Sequence, residues 1–205
     1  MENNTGLYKT ISKASAGILY KEQKSKFYAY TFPVAQEGDI KPILEDLRRK
    51  HPTANHICYA WRIGIENQRY RANDDGEPNN SAGIPIFGQI KSFGLTNVLI
   101  AVVRIFGGTK LGVGGLISAY RTSAKYALES SEIVVKSVQI QYELRFVYPL
   151  MSGVMRIIKS NAIEIMARDM DIDCTLLIAV NVKEVSRVEN QLRGLKGVSM
   201  SKIEG

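Results

Sequence analysis

Residues that usually announce a chemistry are scarce here: 205 positions hold two cysteines, two histidines and one tryptophan. Cys58 and Cys174 lie far apart, and with no export signal they are expected to be reduced thiols rather than a disulfide. Neither His51-x4-His56 nor His56-x-Cys58 matches a zinc-ligand spacing, so no metal and no cofactor is expected. Long apolar runs are missing too. The longest purely aliphatic stretch, Val98 to Val103, is six residues, against roughly 20 for a membrane-crossing helix. Met1-Glu2-Asn3-Asn4-Thr5 offers no basic segment leading into an apolar one, which sets the expectation of a cytoplasmic protein without a membrane partner. The last absence is local. Residues 78–128 contain no Asp or Glu, but carry Lys91, Arg104, Lys110, Arg121 and Lys125.

What is present is enough for a folded protein, since 45% of the residues are hydrophobic. The net charge of +7 and the acid-free stretch favour a polyanionic partner through counterion release. They fall short of the dense Lys/Arg clusters of committed nucleic-acid binders, so sequence-specific DNA binding is not expected.

Periodicity predicts an opening hairpin from Ile18–Tyr20 and 26–32, with a polar break between. A helix over 38–50 follows, with Asp39 as N-cap and Pro42 in its first turn. Residues 55–65 alternate as a strand, 68–72 return beside it, and 73–80 are rich in turn formers. Ser81 reads as the N-cap of a short helix through Ile90, and Thr96 to Ile105 as a buried strand. From Leu116 to Leu128 the pattern is helical, with Ser118, Arg121, Thr122 and Lys125 on one side. Strand 138–147, helix 149–160, strands 163–169 and 172–182, helix 183–194 and strand 197–203 then give a ferredoxin-like βαββαβ order. The alternation Ile172, Cys174, Leu176, Ile178, Val180, Val182 makes Cys174 a core residue. The expected division is 1–134 and 135–205, both α+β.

The densest local feature is Gly107-Gly108-Thr109-Lys110-Leu111-Gly112-Val113-Gly114-Gly115, between a buried strand and a helix. Successive backbone N–H groups at a helix N-terminus can cradle an anion. Two nucleotide fingerprints fail: Lys110 is followed by Leu111, so there is no Walker A, and counting G-x-G-x-x-G from Gly112 ends on Ile117. The plainer alternative is a tight loop with close helix–strand packing. Asp74, Asp75 and Glu77 form the densest acidic cluster. Its spacing argues against a metal site; pairing with Arg104, Lys110 or Arg121 across a shared cleft is the expected role. His56 and Cys58 share a strand face, opposite Tyr59 and Trp61, with no third member of a catalytic triad in sight. Phe27, Tyr28, Tyr30 and Phe32 with Lys24 and Lys26 offer at most a small exposed stacking platform, because their parity splits them between faces.

Taken together, Lys24 to Phe27, His56 to Trp61, Asp74-Asp75-Gly76-Glu77-Pro78, Ser81 to Pro85 and Val103 to Leu116 resemble the YigZ/IMPACT family over roughly residues 15–130. The resemblance implies an N-terminal domain of ribosomal protein S5 domain 2-like fold, then a ferredoxin-like domain similar to the last domain of elongation factor G. It also implies a link to translation, since eukaryotic members inhibit the kinase that phosphorylates an initiation factor by competing for that kinase's activator. The motifs start about 25 residues from Met1, where no room is expected for the extra N-terminal domain of those members. Ser81 and Ile84 stand where the family usually has Thr and Lys, which removes one cation from the cleft. The leading expectation is a translation-associated regulatory protein that binds RNA or a ribosomal or translation partner, with catalysis left open. Its anion-binding set is Arg104, Gly107, Gly108, Lys110, Gly112, Gly114, Gly115, Arg121 and Lys125, facing Asp74, Asp75 and Glu77. The alternatives are a small-molecule hydrolase using Asp75, Glu77 and His56 in the same cleft, or a protein-interaction module with an exposed apolar patch on the C-terminal domain.

Overall fold

The computed structural model describes residues 6–65, 67–170 and 173–203. The readings of Met1–Thr5 and of Ile172 lie outside the described residues. The chain divides into two compact units, Tyr8–Lys136 and Ser137–Gly205, the latter joined by the N-terminal residues up to Leu7. Val138 N donates to Gly6 O at 2.7 Å, which ties that N-terminal stretch to the smaller unit.

The larger unit holds most of β1 (Leu7–Ile11), then β2 (Ile18–Glu22), β3 (Ser25–Pro33), α1 (Ile40–Lys50), β4 (His56–Ile63), β5 (Arg69–Asn73), α2 (Gly83–Ser92), β6 (Val98–Ile105), α3 (Gly112–Glu129) and most of β7 (Ile133–Ser137). Its main sheet is antiparallel throughout, in the order β2-β3-β6-β4-β5, and β1 pairs with β7 apart from it. β6 sits at the centre with Val98 to Arg104 buried, because α2 and α3 cover it on one face and α1 on the other. Alternation assigns the faces. Phe27, Ala29, Cys58, Ala60, Ile100 and Val102 pack with the apolar sides of α2 and α3. Tyr30, Ile57, Ala101 and Val103 pack with Leu47 of α1, and Trp61, Ile63 and Leu99 with Ile40. Both aromatic parities of β3 therefore find cover.

Helix starts differ most from expectation. A 3-10 turn, Glu37–Asp39, precedes α1, and Asp39 reaches back instead of forward: its Oδ2 accepts from the amides of Ala35 and Gln36 at 2.8 and 3.1 Å. Those two bonds favour the ionised form and hold its pKa below the usual carboxylate range. α3 begins at Gly112, four residues before the predicted Leu116: an exposed glycine-rich first turn, of poor helix propensity, precedes the buried part of the helix, which starts at Leu116.

The smaller unit runs β8 (Gln139–Val147), α4 (Met151–Ser160), β9 (Glu164–Met170), β10 (Asp173–Asn181), α5 (Val185–Arg193), β11 (Ser199–Lys202). Its antiparallel sheet has the order β11-β8-β10-β9, the ferredoxin-like arrangement. Cys174, Leu176, Ile178 and Val180 are buried beneath α4 and α5. No helix among the described residues is long and apolar enough to cross a membrane.

Candidate nucleic-acid interface

Arg104, near the end of β6, is in register with Phe27 on one side and His56 on the other, so all three face α2 and α3. Its side chain is buried, with the residue 5% exposed, and Nη1 donates to Glu77 Oε1 at 2.7 Å; Glu77 is itself 7% exposed. The Tyr120 hydroxyl of α3 donates to the same oxygen at 2.7 Å. His56 Nδ1 lies 2.8 Å from the Asp75 carbonyl, which can only accept, so Nδ1 is the donor, and Nε2 faces Glu77 Oε2 at 4.0 Å. Ser25 Oγ accepts from Gly107 N at 3.2 Å and lies 3.5 Å from Arg104 Nη2. Glu77 is thus the centre of a buried polar cluster drawn from β3, β4, β6 and α3. The expected pairing of acidic turn with Arg104 exists, through Glu77, and it removes Arg104 from the exposed anion-binding set.

The two aspartates serve other ends. Asp74 Oδ1 accepts from Ala82 N and Gly83 N at 3.0 and 2.8 Å, and Oδ2 from Asn80 N at 2.8 Å. Asp74, not Ser81, caps α2; the Ser81 hydroxyl turns back to Pro78 O at 2.6 Å. Asp75 Oδ2 accepts from Arg48 Nη2 at 2.9 Å and from Ile57 N at 2.6 Å. Neither aspartate pairs with Lys110 or Arg121. No group of three or more His, Cys, Asp or Glu among the described residues is placed to hold a metal ion.

The glycine-rich turn is built differently. Gly107 must be glycine, since a Cβ there would run into the Lys24–Ser25 peptide of the β2–β3 hairpin. Gly108 and Gly112 take φ of +87° and +69°, which turn the chain from strand to helix. Lys110, Gly112 and Gly114 are exposed and Gly115 half-buried. Leu111 occupies the N-cap position of α3 and no side chain caps it, so the first-turn amides have no side-chain acceptor. Beyond them Ser118, Arg121 and Lys125 are exposed on one line of the helix. Lys125 has a surface pair in Glu129 at 3.6 Å.

The hydrolase alternative finds no free acid–base pair, because Asp75 and Glu77 are held as described. Nor does Cys58 offer a nucleophile. Burial pushes its thiol pKa well up, helped by the Glu77, Asp75 and Asp74 charges and only partly offset by Tyr120, and its S–H donates to Asp74 O at 3.0 Å. Burial likewise drives the Tyr120 hydroxyl far above its usual range. On the smaller unit, Val147, Tyr148, Met166 and Met170 are exposed apolar side chains.

The sequence profile of the Impact N-terminal domain matches residues 23–128. The IMPACT family member YvyE of Bacillus subtilis (strain 168) is 34% identical over 131 residues, a match that covers 64% of this chain and 60% of YvyE. The IMPACT family member YigZ of Escherichia coli (strain K12) is 28% identical over 184 residues, covering 89% of this chain and 90% of YigZ. A crystal structure of a hypothetical protein superposes with a TM-score of 0.73 at 25% identity, covering 97% of this chain and 98% of that one.

Proposed function

The chain belongs to the IMPACT family, and from that premise we propose that it is a translation-associated regulatory protein that binds RNA, free or within the ribosome, through the outer line of α3 and the glycine-rich turn ahead of it. The observation that carries this reading is the one-signed stripe. Gly114, Ser118, Arg121 and Lys125 are exposed at steps of four, three and four residues, so they follow one line along the helix, about 6 Å per four residues. Lys110 stands before that line, beside uncapped amides that carry the positive end of the helix dipole. No Asp or Glu from 78 to 128 opposes it, and Glu129, just past that stretch, pairs with Lys125 alone. A phosphate backbone would meet backbone N–H donors at one end and two long cations further on, contacts that position without reading sequence. Arg104 supports the surface from below by holding the end of β6 in place.

The test is a filter-binding titration of a single-stranded RNA and of purified ribosomes at low salt, with the wild type and with Lys110→Ala, Arg121→Ala and Lys125→Ala combined. The triple variant is expected to lose about tenfold or more in affinity for both. Undiminished binding by the triple variant, or no binding by the wild type, would count against the reading; loss toward ribosomes alone would move the contact from RNA to a ribosomal protein.

A further inference from the structure

The sheet of the larger unit is covered unequally. Five strands span roughly 20–24 Å, and a helix with its side chains is about 10–12 Å across, so α2 and α3 together cover one face whereas α1 alone cannot cover the other. On the β4–β5 side of α1 this leaves an open groove of about 430 Å³, a volume within the range of small-molecule sites. Its floor is Ile57, Tyr59 and Trp61, successive same-face residues of β4, and Leu44 of α1 forms its wall. On the edge strand β5 the same alternation brings two arginines to this uncovered face: Arg71 is in register with Trp61, and Arg69 with Ile63.

Charge decides what such a groove would accept. Around it Glu37 pairs with Arg69 at 2.9 Å, Asp75 with Arg48 at 2.9 Å, and Glu45 with Lys41 at 3.9 Å. Three acids are thus matched by three bases, and Arg71 is a fourth base, exposed, whose side chain has no ion pair or hydrogen bond among the described residues. The groove therefore offers an apolar floor with one uncompensated guanidinium at the edge, able to meet a carboxylate with two parallel N–H donors.

We propose that this groove is a binding site for a small monocarboxylate with an apolar body: the hydrocarbon part lies on Tyr59 and Trp61 and the carboxylate pairs with Arg71. An amine of the same shape would find its charge opposed by Arg71, and a neutral amide would forgo the ion pair.

Trp61 is the only tryptophan in the chain, so the site reports on itself. With 4-phenylbutyrate as probe, titration is expected to give a saturable change in tryptophan emission and a matching heat by calorimetry. 4-Phenylbutanamide, and 4-phenylbutyrate against Arg71→Gln, are expected to bind at least about tenfold more weakly, a factor within reach of one lost charge-assisted contact. Lys110→Ala, on the proposed RNA surface, is expected to bind the probe like the wild type, so the two proposals can fail separately. Arg71 is an exposed edge-strand residue, so its replacement leaves the thermal transition in place, which circular dichroism checks. Absence of both the emission change and the heat, equal affinity for acid and amide, or undiminished binding by Arg71→Gln would each overturn the proposal.

Discussion

The acidic turn and the glycine-rich turn meet at the same end of β6 and differ in what their polar groups find: partners within the fold for the first, solvent for Lys110 in the second. In the first, the Glu77 carboxylate and both aspartates are taken up internally, by Arg104 and Tyr120, by the start of α2, and by Arg48 with the Ile57 amide. In the second, Lys110 and the first amides of α3 face outward with no side-chain cap. A cluster of like charges in a sequence is thus no guide to a binding site: the dense acidic cluster is architecture, and the thinly charged basic stripe is the open surface. The two also depend on each other, because Ser25 Oγ accepts from the Gly107 amide and lies beside Arg104.

This contrast can be broken most severely at Glu77. Glu77→Ala leaves a buried guanidinium and a buried tyrosine hydroxyl without their acceptor, and is expected to cost about 3–5 kcal/mol in urea denaturation. A cost under about 1 kcal/mol would mean that the cluster is wet and not structural. Next comes Asp74→Ala, which removes the acceptor of three amides at the start of α2; a loss of about 1–2 kcal/mol is expected, with RNA affinity unchanged. An affinity loss without a stability loss would reverse the roles assigned to the two turns.

A subtler probe is pH. The Cys58 thiol has a raised pKa in the folded state, chiefly from burial, so the fold favours its protonated form. That contribution is present in full below the ordinary thiol pKa of about 8.5 and is lost progressively as pH rises above it. The urea midpoint is expected to fall above about pH 9 in the wild type and to fall less in Cys58→Ala; parallel curves would contradict the assignment. The smallest effect belongs to the outward turn. Lys110→Ala, Arg121→Ala and Lys125→Ala are each expected to change stability by no more than about 0.5 kcal/mol.

How much of this was legible in the sequence depends on the range of the signal. Strand positions and faces of the main sheet followed from alternation: β6 read as buried, His56 and Cys58 as one face, Tyr59 and Trp61 as the other, and the six elements of the smaller unit emerged in their order, whereas the β1–β7 pair was not read. What failed was non-local or cooperative. Ser81 is the natural local cap, yet Asp74 does the capping from eight residues upstream, across a loop whose path no propensity describes. The first turn of α3 was hidden by its glycines, whose poor helix propensity masks a turn that continues the packed helix behind it. Arg104 was expected both to pair with the acidic turn and to bind an anion, and which of the two holds depends on a glutamate 27 residues away. The groove beside α1 left no sequence trace, because Trp61 and Arg71 meet only through strand register and the groove exists only because one helix is narrower than the sheet beneath it.

The central claim, that the outward turn and α3 carry the electrostatic contact while the acidic turn does not, is tested most directly by the salt dependence of single-stranded RNA binding. With about 0.7 counterions released per phosphate contact, the slope of log K against log salt is expected to flatten by about 2 when Lys110, Arg121 and Lys125 are replaced by alanine, and to stay unchanged in Asp74→Ala. An unchanged slope in the triple variant, or a slope that flattens with Asp74→Ala instead, would contradict it.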